Sequence, residues 1–278
     1  KIFGPFNWTF KRKVKKSIHG PVLEFDHGTY ALRISSLKDL RFVEQWYKMG
    51  KSQDIDDFKK AMNIHAIPMF NTGYADKDGK LYYVYNAKIP KRDSKYIWNK
   101  ILPGENKETL WYDYIPFDRL PYVYDPLEGF FQNCNSSPYL ATGSKVDVSK
   151  PLPAWTGIET HQTNRALRSL ETFGVDSSIT REEFFDYKYD VEYSRESIIA
   201  SVRDRYLKEM NKKEIPDELS KAMQMIKNWN LRVDSLNTDA ALCILTLPNA
   251  FKLEDLKYDT DKVTEKLYES ISYLKENF

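Results

Sequence analysis

The spacing of apolar residues changes near residues 144–153, and this change constrains the fold more than any other feature of the chain. Before it, aromatic and β-branched residues alternate with polar ones in short runs separated by Gly, Pro and Asp, as in strands. After it, apolar residues recur at helical spacing, and Thr180 with Glu183 has the pattern of a capping box. The sequence predicts an α+β fold, with an α+β portion over residues 1–148 and a mainly helical subdomain over residues 149–278. Predicted strands cover residues 22–25, 29–35, 69–75, 81–88, 111–115 and 129–134, and predicted helices cover residues 37–49, 54–62, 163–173, 180–185, 195–210, 217–228, 239–247 and 261–277.

A β-hairpin is predicted between Phe70 and Tyr85. The residues on either side of the tetrapeptide Asp-Lys-Asp-Gly, which runs from Asp76 to Gly79, favour strands. Asp and Gly favour a tight turn at these positions. Asp76 and Asp78 are therefore interpreted as turn residues, and the positions that complete an EF-hand calcium loop do not follow them.

The overall charge argues against a nucleic-acid or membrane partner. The 42 basic and 40 acidic residues leave a net charge of +2, which provides no field over the whole chain for an anionic polymer or surface. The basic run over residues 11–16 is more typical of a solvated face. No run of about 18 apolar residues occurs, so the sequence predicts no transmembrane helix.

Cysteines and histidines lack the spacing of metal ligands. Cys134 and Cys243 lie far apart in the sequence and are interpreted as two buried thiols. The four histidines form no pair at i, i+4. The sequence therefore predicts no metal ligands and no cofactor. These histidines are His19, His27, His65 and His161.

The segment Phe-Gln-Asn-Cys-Asn-Ser-Ser-Pro, residues 131–138, carries two amides and two hydroxyls between an aromatic run and a proline, in addition to Gln132. In one interpretation it is a turn without any chemistry, because Asn, Ser and Pro favour turns. In the other it ends a strand and projects polar groups into a cavity. An Asn in that place provides an N–H donor of the kind that stabilises an oxyanion during acyl transfer.

An ordered series of short motifs surrounds this segment. The motifs are His19-Gly20-Pro21-Val22, Tyr30-Ala31-Leu32-Arg33, Asn71 to Gly79, Leu102-Pro103-Gly104, Trp111, Ile115-Pro116-Phe117 and Asn135. With them the chain resembles the penicillin acylase (penicillin amidase) family of N-terminal-nucleophile hydrolases, in which a hairpin with the pattern N-x-x-Y-A-D-x-D-G precedes an Asn-rich strand end. The resemblance covers nearly the whole chain in the correct order. It implies part of an αββα sandwich with antiparallel strands, and an amide hydrolase that works through an acyl-enzyme.

The resemblance also implies roles for three residues of this sequence. Asn135 matches the oxyanion-hole Asn of the family, and Arg165 matches its site arginine, whose rigid fork of donors would keep the Asn aimed. Phe70 matches a hydrophobic side chain of the acyl-binding pocket. Without the resemblance, Arg165 would be interpreted as a surface or ion-pairing arginine and Phe70 as a core residue of a strand.

One departure from the family pattern concerns the nucleophile. In the family this residue, Ser or Cys, is the first residue of the β subunit, and its own α-amino group acts as the base. Residue 1 of this chain is Lys1. We therefore expect the chain to be a central portion of the β subunit that is inactive alone. Its expected partners are a small-molecule acyl-amide substrate and the remaining segments of the parent, namely the α subunit and the missing parts of the β subunit.

Further expectations about the parent follow from the family alone. The parent is expected to be periplasmic or secreted, to use no cofactor, and to have room for a structural calcium ion whose ligands cannot be assigned in this sequence. The alternative to a hydrolase is a binding module. In that case the 19 Tyr, 15 Phe and 6 Trp would form stacking platforms for sugars or peptides without catalysis.

Overall fold

A computed structural model describes residue 11 and residues 13–143, 152–248 and 258–278. The chain divides into two compact units. The first unit comprises Lys1–Gly129 and Val146–Glu159, and the second comprises Phe130–Lys145 and Thr160–Phe278. The predicted boundary between residues 148 and 149 lies outside the described residues.

Every strand pairing among the described residues of the first unit is antiparallel. The strands are β1 (Lys15–Lys16), β2 (Pro21–Phe25), β3 (Gly28–Ala31), β4 (Met69–Ala75), β5 (Leu81–Ala87) and β6 (Tyr122–Tyr124). One sheet consists of β1, β2 and β3 with β2 in the centre, and a second sheet consists of β4, β5 and β6 with β5 in the centre. The predicted α+β fold with antiparallel strands is therefore confirmed.

The predicted hairpin is formed by β4 and β5, which pair over their full lengths from Met69 opposite Ala87 to Ala75 opposite Leu81. Its turn is closed by the Asp76 carboxylate, whose Oδ1 accepts hydrogen bonds from the backbone N–H groups of Asp78 at 3.0 Å and Lys80 at 2.9 Å. Gly79 takes a φ of +80°, which glycine adopts without steric cost.

The first unit buries the inner face of this hairpin against two helices, α1 (Phe42–Lys51) and α2 (Ile55–Met62). Asp54 begins α2 by accepting a hydrogen bond from the Asp57 backbone N–H at 2.8 Å. The fully buried amide of Gln45 on α1 accepts from the backbone N–H groups of Ala66 and Ile67, which ties α1 to the segment before β4. The core residues of this unit are Phe58, Met62, Tyr82, Val84, Ala87, Ile89, Ile115 and Leu120.

Short motifs that are distant in the sequence contact each other within the first unit. The ring of His19 forms a hydrogen bond with the Gly104 carbonyl oxygen at 2.8 Å, which joins the His-Gly-Pro and Leu-Pro-Gly motifs. The Arg33 guanidinium lies over the Trp111 ring at 4.5 Å and donates to the Trp111 carbonyl oxygen. Gly20 has a φ of +150°, and a Cβ there would lie 2.1 Å from the Leu32 carbonyl oxygen. These contacts give the motifs a structural role.

The second unit is mainly helical. Trp229 and Tyr206 are completely or almost completely buried in its core, and the Trp229 indole donates to the Arg232 carbonyl oxygen at 2.8 Å. Thr180 forms the predicted capping box with Glu183. The described helices of this unit are α3 (Asn164–Glu171), α4 (Arg181–Lys188), α5 (Ile198–Met210), α6 (Asp217–Asn228), α7 (Ala240–Thr246) and α8 (Thr260–Asn277).

Two predicted strands were wrong and two strands were missed. Residues 111–115 form only an isolated bridge between Tyr114 and Pro90. Residues 129–134 form no strand, because Gly129 at φ +72° turns the backbone and the segment folds onto itself through Gln132. The missed strands are β1, in which Lys15 pairs with Val22, and β6, which extends the hairpin sheet by pairing Val123 with Tyr83. Within the described part of the chain, no helix has both the length and the apolar character needed to span a bilayer.

Candidate active site

The Asn-rich segment is a closed loop at the start of the second unit. The Gln132 backbone N–H donates to the Ala141 carbonyl oxygen at 2.7 Å, and its side-chain amide donates to the Leu140 carbonyl oxygen at 2.6 Å. Ser136, Ser137 and Pro138 are buried beneath the loop. The buried residues 136–138 and the hydrogen bonds of Gln132 therefore hold residues 133–135 in place.

Asn135 adopts the left-handed backbone conformation, with a φ of +54°. Asn enters this region more readily than most residues, because its short side chain can bond locally. The Asn133 side-chain oxygen accepts a hydrogen bond from the Asn135 backbone N–H at 3.0 Å, which fixes the turn. The Asn135 side chain is exposed and has no hydrogen-bond partner among the described residues. Its amide N–H groups can therefore donate to a ligand.

Arg165 reaches this loop from the first turn of α3. Thr163 begins the helix by accepting a hydrogen bond from the Ala166 backbone N–H at 3.3 Å. The Arg165 Nη2 donates to the Cys134 carbonyl oxygen at 2.7 Å. That carbonyl belongs to the peptide group whose nitrogen is Asn135, so Arg165 restrains the peptide that orients Asn135.

Cys134 packs against the same helix. Its thiol is half-buried and donates to the Arg165 carbonyl oxygen at 3.5 Å. Burial raises the pKa of the Cys134 thiol, while the charge of Arg165 and a hydrogen bond with Ser169 oppose this rise. A thiol whose pKa is raised is mainly protonated at neutral pH, so Cys134 is a poor nucleophile here. The prediction of two buried thiols holds fully for Cys243 and only in part for Cys134.

Phe70 lies on β4 of the first unit, opposite Asn86. Its side chain is 58% exposed and packs edge to face against Trp46 of α1, with 6.2 Å between the ring centroids. A core role for Phe70 is therefore wrong, because an exposed ring has no core to fill. An exposed aromatic side chain has surface available for an apolar ligand. Its assignment to the acyl pocket stays a prediction.

The structure thus brings two of the three predicted site residues together, Asn135 and Arg165, through the peptide between Cys134 and Asn135. The contribution of Asn133 was missed by sequence reasoning, although an Asn two residues before another Asn is a signal for such a turn. The predicted strand end at Asn135 was wrong, because a φ of +54° is incompatible with a strand. The catalytic roles of these residues stay predictions.

The described ranges of the chain contain no group of three or more His, Cys, Asp or Glu side chains suited to a metal ion. The hairpin carboxylate of Asp76 is engaged with backbone N–H groups and with the Tyr74 hydroxyl at 2.8 Å. A structural calcium ion in the parent and the absence of a cofactor stay predictions.

Comparisons with known proteins identify relatives of this chain. The family model for penicillin amidase matches residues 7–275. Penicillin G acylase of Escherichia coli is 28% identical over 129 residues, which cover 45% of this chain and 15% of that protein. The acyl-homoserine lactone acylase PvdQ of Pseudomonas syringae pv. syringae is 30% identical over 91 residues, which cover 30% of this chain and 12% of that protein.

A solved structure supports the same fold. Thermostable penicillin G acylase from Alcaligenes faecalis superimposes with a TM-score of 0.60 at 15% sequence identity, over 95% of this chain and 57% of that chain. The matched regions therefore span only a part of each of these relatives. Because the family model covers nearly all of the sequence, the chain belongs to the penicillin amidase family.

Proposed function

We propose that this chain is part of an amide hydrolase that removes an acyl group from an amine through a covalent acyl-enzyme. The observation that carries the proposal is the hydrogen bond from Arg165 to the Cys134 carbonyl, which restrains the peptide beside the exposed amide of Asn135. Membership of the penicillin amidase family supports it. The names of the relatives, penicillin G acylase and acyl-homoserine lactone acylase, indicate small-molecule acyl amides as substrates.

Each residue of the proposed site has a distinct role. The nucleophile attacks the amide carbonyl, and the carbonyl oxygen takes up the negative charge. The Asn135 side-chain N–H donates to this oxyanion, and Arg165 keeps Asn135 aimed. Phe70 contacts the acyl part of the substrate through its exposed ring. The amine then leaves with a proton, and water hydrolyses the acyl-enzyme.

The nucleophile of this scheme is an N-terminal Ser or Cys whose α-amino group accepts its proton. The family resemblance assigns that role to none of these 278 residues, so we propose that another segment of the parent supplies it. The α subunit and further parts of the β subunit are the proposed protein partners. The parent is proposed to be periplasmic or secreted, to use no cofactor, and to have neither nucleic-acid nor membrane partners. A calcium ion, if bound, would have a structural role.

The proposal is tested by measuring the hydrolysis of chromogenic phenylacetyl and fatty-acyl amides. We expect the complete, matured parent to release the chromophore and the isolated 278-residue chain to release none. We also expect Asn135→Gly in the parent to be severely impaired. Turnover by the isolated chain would contradict the assignment of the nucleophile, and lack of turnover of every amide by the parent would contradict the function.

The binding-module alternative depends on a specific surface of the first unit. Trp46 and Phe70 are each more than half exposed and pack against each other, as a stacking platform requires. Binding of sugars or peptides by the complete protein without release of an amine would favour this alternative. Loss of that binding on Trp46→Ala would locate it.

A further inference from the structure

The helix that carries Arg165 is short, and its orientation depends on contacts made by its own side chains. Helix α3 has eight residues, which is too short to be stable in isolation. Arg165 lies in its first turn, and Arg168 follows one turn later. What holds α3 therefore also determines where the Arg165 guanidinium points.

Arg168 fixes α3 to the segment at residues 190–194 through a two-pronged ion pair. Its Nε donates to Asp190 Oδ2 at 2.7 Å, and its Nη2 donates to Asp190 Oδ1 at 3.1 Å. The remaining Nη1 donates to Glu171 Oε2 at 2.8 Å. The side chains of Arg168 and Asp190 are mostly buried, at 20% and 17% exposure, so solvent screens this pair less than a surface pair. The planar fork fixes direction as well as distance.

Asn164, the first residue of α3, makes a second set of contacts with the same segment. Its side-chain oxygen accepts from the Ser194 backbone N–H at 2.8 Å, and its amide nitrogen donates to the Glu192 carbonyl oxygen at 3.2 Å. The Ser194 hydroxyl in turn donates to the Glu171 carboxylate at the other end of the helix. Both ends of α3 are therefore held by residues 190–194.

The segment at residues 190–194 is itself anchored in the helical core of the second unit. The Tyr193 backbone N–H donates to the Leu231 carbonyl oxygen at 2.9 Å, and the Tyr193 ring packs edge to face against Trp229. Ser194, Trp229 and Leu231 are buried. A continuous series of contacts thus connects the rigid core to α3, and through Arg165 and the Cys134 carbonyl to Asn135.

We propose that Arg168, paired with Asp190 and assisted by Asn164, is a positioning residue that orients α3 so that Arg165 holds Asn135 in place. This inference rests on the proposed function of Asn135 as the oxyanion donor. Arg168 touches no reacting atom in this scheme. It acts through α3, and its loss lets the helix shift relative to the loop that carries Asn135.

Cys134 provides a reporter of this arrangement that does not depend on activity. Its half-buried thiol lies against α3 at Arg165 and Ser169, whereas Cys243 is fully buried, and burial raises the pKa of Cys243 to about 12. The reaction of Cys134 with 5,5′-dithiobis(2-nitrobenzoate) should therefore accelerate when α3 moves away, while Cys243 stays unreactive. The measurement uses the complete protein and follows the labelling of the peptide that contains Cys134 by mass spectrometry, so that no other cysteine needs to be replaced.

The test compares Arg168→Met with the matched control Lys88→Met. Lys88 is also a mostly buried cation in an ion pair, at 15% exposure, and lies 3.1 Å from Asp39 Oδ2 within the first unit. We expect Arg168→Met to raise the Cys134 labelling rate several-fold, because the thiol becomes more accessible when α3 moves away from it. We expect kcat to fall about tenfold or more with little change in KM, as for a small misplacement of a catalytic group.

Lys88→Met should lower the Tm while both the labelling rate and kcat stay at their wild-type values. If Arg168→Met does not fold, Arg168→Lys decides, because Lys keeps the charge beside Asp190 and loses the fork. Unchanged labelling and unchanged kcat in the folded variant would overturn the positioning role. Faster labelling of Cys134 in Arg168→Met, together with a fully active Asn135→Gly enzyme, would support the role of Arg168 in orienting α3. It would overturn the proposed function of Asn135 instead.

Discussion

Replacing Asn135 by glycine and, separately, by alanine distinguishes the role of its side-chain amide from that of its backbone conformation. The backbone φ of Asn135 is +54°, which costs most L-residues about 1–2 kcal/mol and glycine almost nothing. The side chain is exposed, so neither substitution leaves a buried cavity. We therefore expect Asn135→Ala to lower the free energy of unfolding by about 1 kcal/mol relative to Asn135→Gly.

Activity should respond differently, because both substitutions remove the same N–H donor. Loss of one oxyanion donor typically lowers kcat by about 10²–10³, equivalent to about 2.7–4 kcal/mol in the activation free energy. KM should change far less, since the bond reaches full strength only in the transition state. The two variants should therefore share one kcat while they differ in stability.

The assay measures urea unfolding and the hydrolysis of a chromogenic acyl amide by the complete, matured protein. A matched control is Ser36→Gly, which introduces glycine at another left-handed position, with a φ of +58°, in the first unit. We expect this control to keep the wild-type kcat. A kcat of Asn135→Gly within about threefold of wild type would refute the role of the amide as oxyanion donor. Equal stability of the Ala and Gly variants would refute the conformational argument.

Three further predictions concern the stability of the first unit, measured by urea unfolding. Asp39 accepts hydrogen bonds from Arg41 and Lys88, and chiefly the bond from Arg41 holds the pKa of this carboxylate well below its ordinary value of about 4. Asp39→Asn should therefore lower the free energy of unfolding by about 1–2 kcal/mol at pH 7, and this difference should vanish as the pH falls through the depressed pKa. A constant difference between the two proteins down to about pH 2 would contradict this prediction. Burial lowers the pKa of His65, so the wild type should lose stability as the pH falls below about 6.5. His65→Asn should remove this pH dependence, and Asn also tolerates the φ of +52°. An unchanged dependence of the unfolding free energy on pH would exclude His65 as its cause. Gly20→Ala should destabilise by about 2 kcal/mol or more, because its Cβ would lie 2.1 Å from the Leu32 carbonyl oxygen, and a stable Ala variant would show that this turn can shift.

The helices of the second unit follow from the sequence because periodicity and capping residues act locally. Helix α6 has the predicted bounds, Asp217–Asn228, and Thr180 caps α4 as its spacing with Glu183 indicates. The predicted helix over residues 37–49 begins later, at Phe42, because Ser36 takes a left-handed conformation and Asp39 is engaged with Lys88. Local patterns do not reveal such tertiary contacts.

The candidate site could be predicted only in part. The Asn-rich segment is conspicuous by composition, yet its strand assignment failed, because the positive φ values of Gly129 and Asn135 are set by the folded loop. No local pattern places Arg165 beside Cys134, and that expectation came from the family resemblance. The ion pair between Arg168 and Asp190 was not predicted, because an ion pair between distant segments leaves no periodic signal in the sequence.

The central claim is that the Asn135 side chain donates to the oxyanion of acyl transfer. A crystal structure of the complete, matured protein with a phosphonate analogue of the tetrahedral intermediate on its nucleophile tests this claim most directly. We predict that the Asn135 Nδ2 lies about 2.7–3.1 Å from the anionic oxygen of the analogue, with the Arg165 hydrogen bond to the Cys134 carbonyl retained. An Asn135 Nδ2 more than about 4 Å from that oxygen, with other donors in its place, would contradict the account.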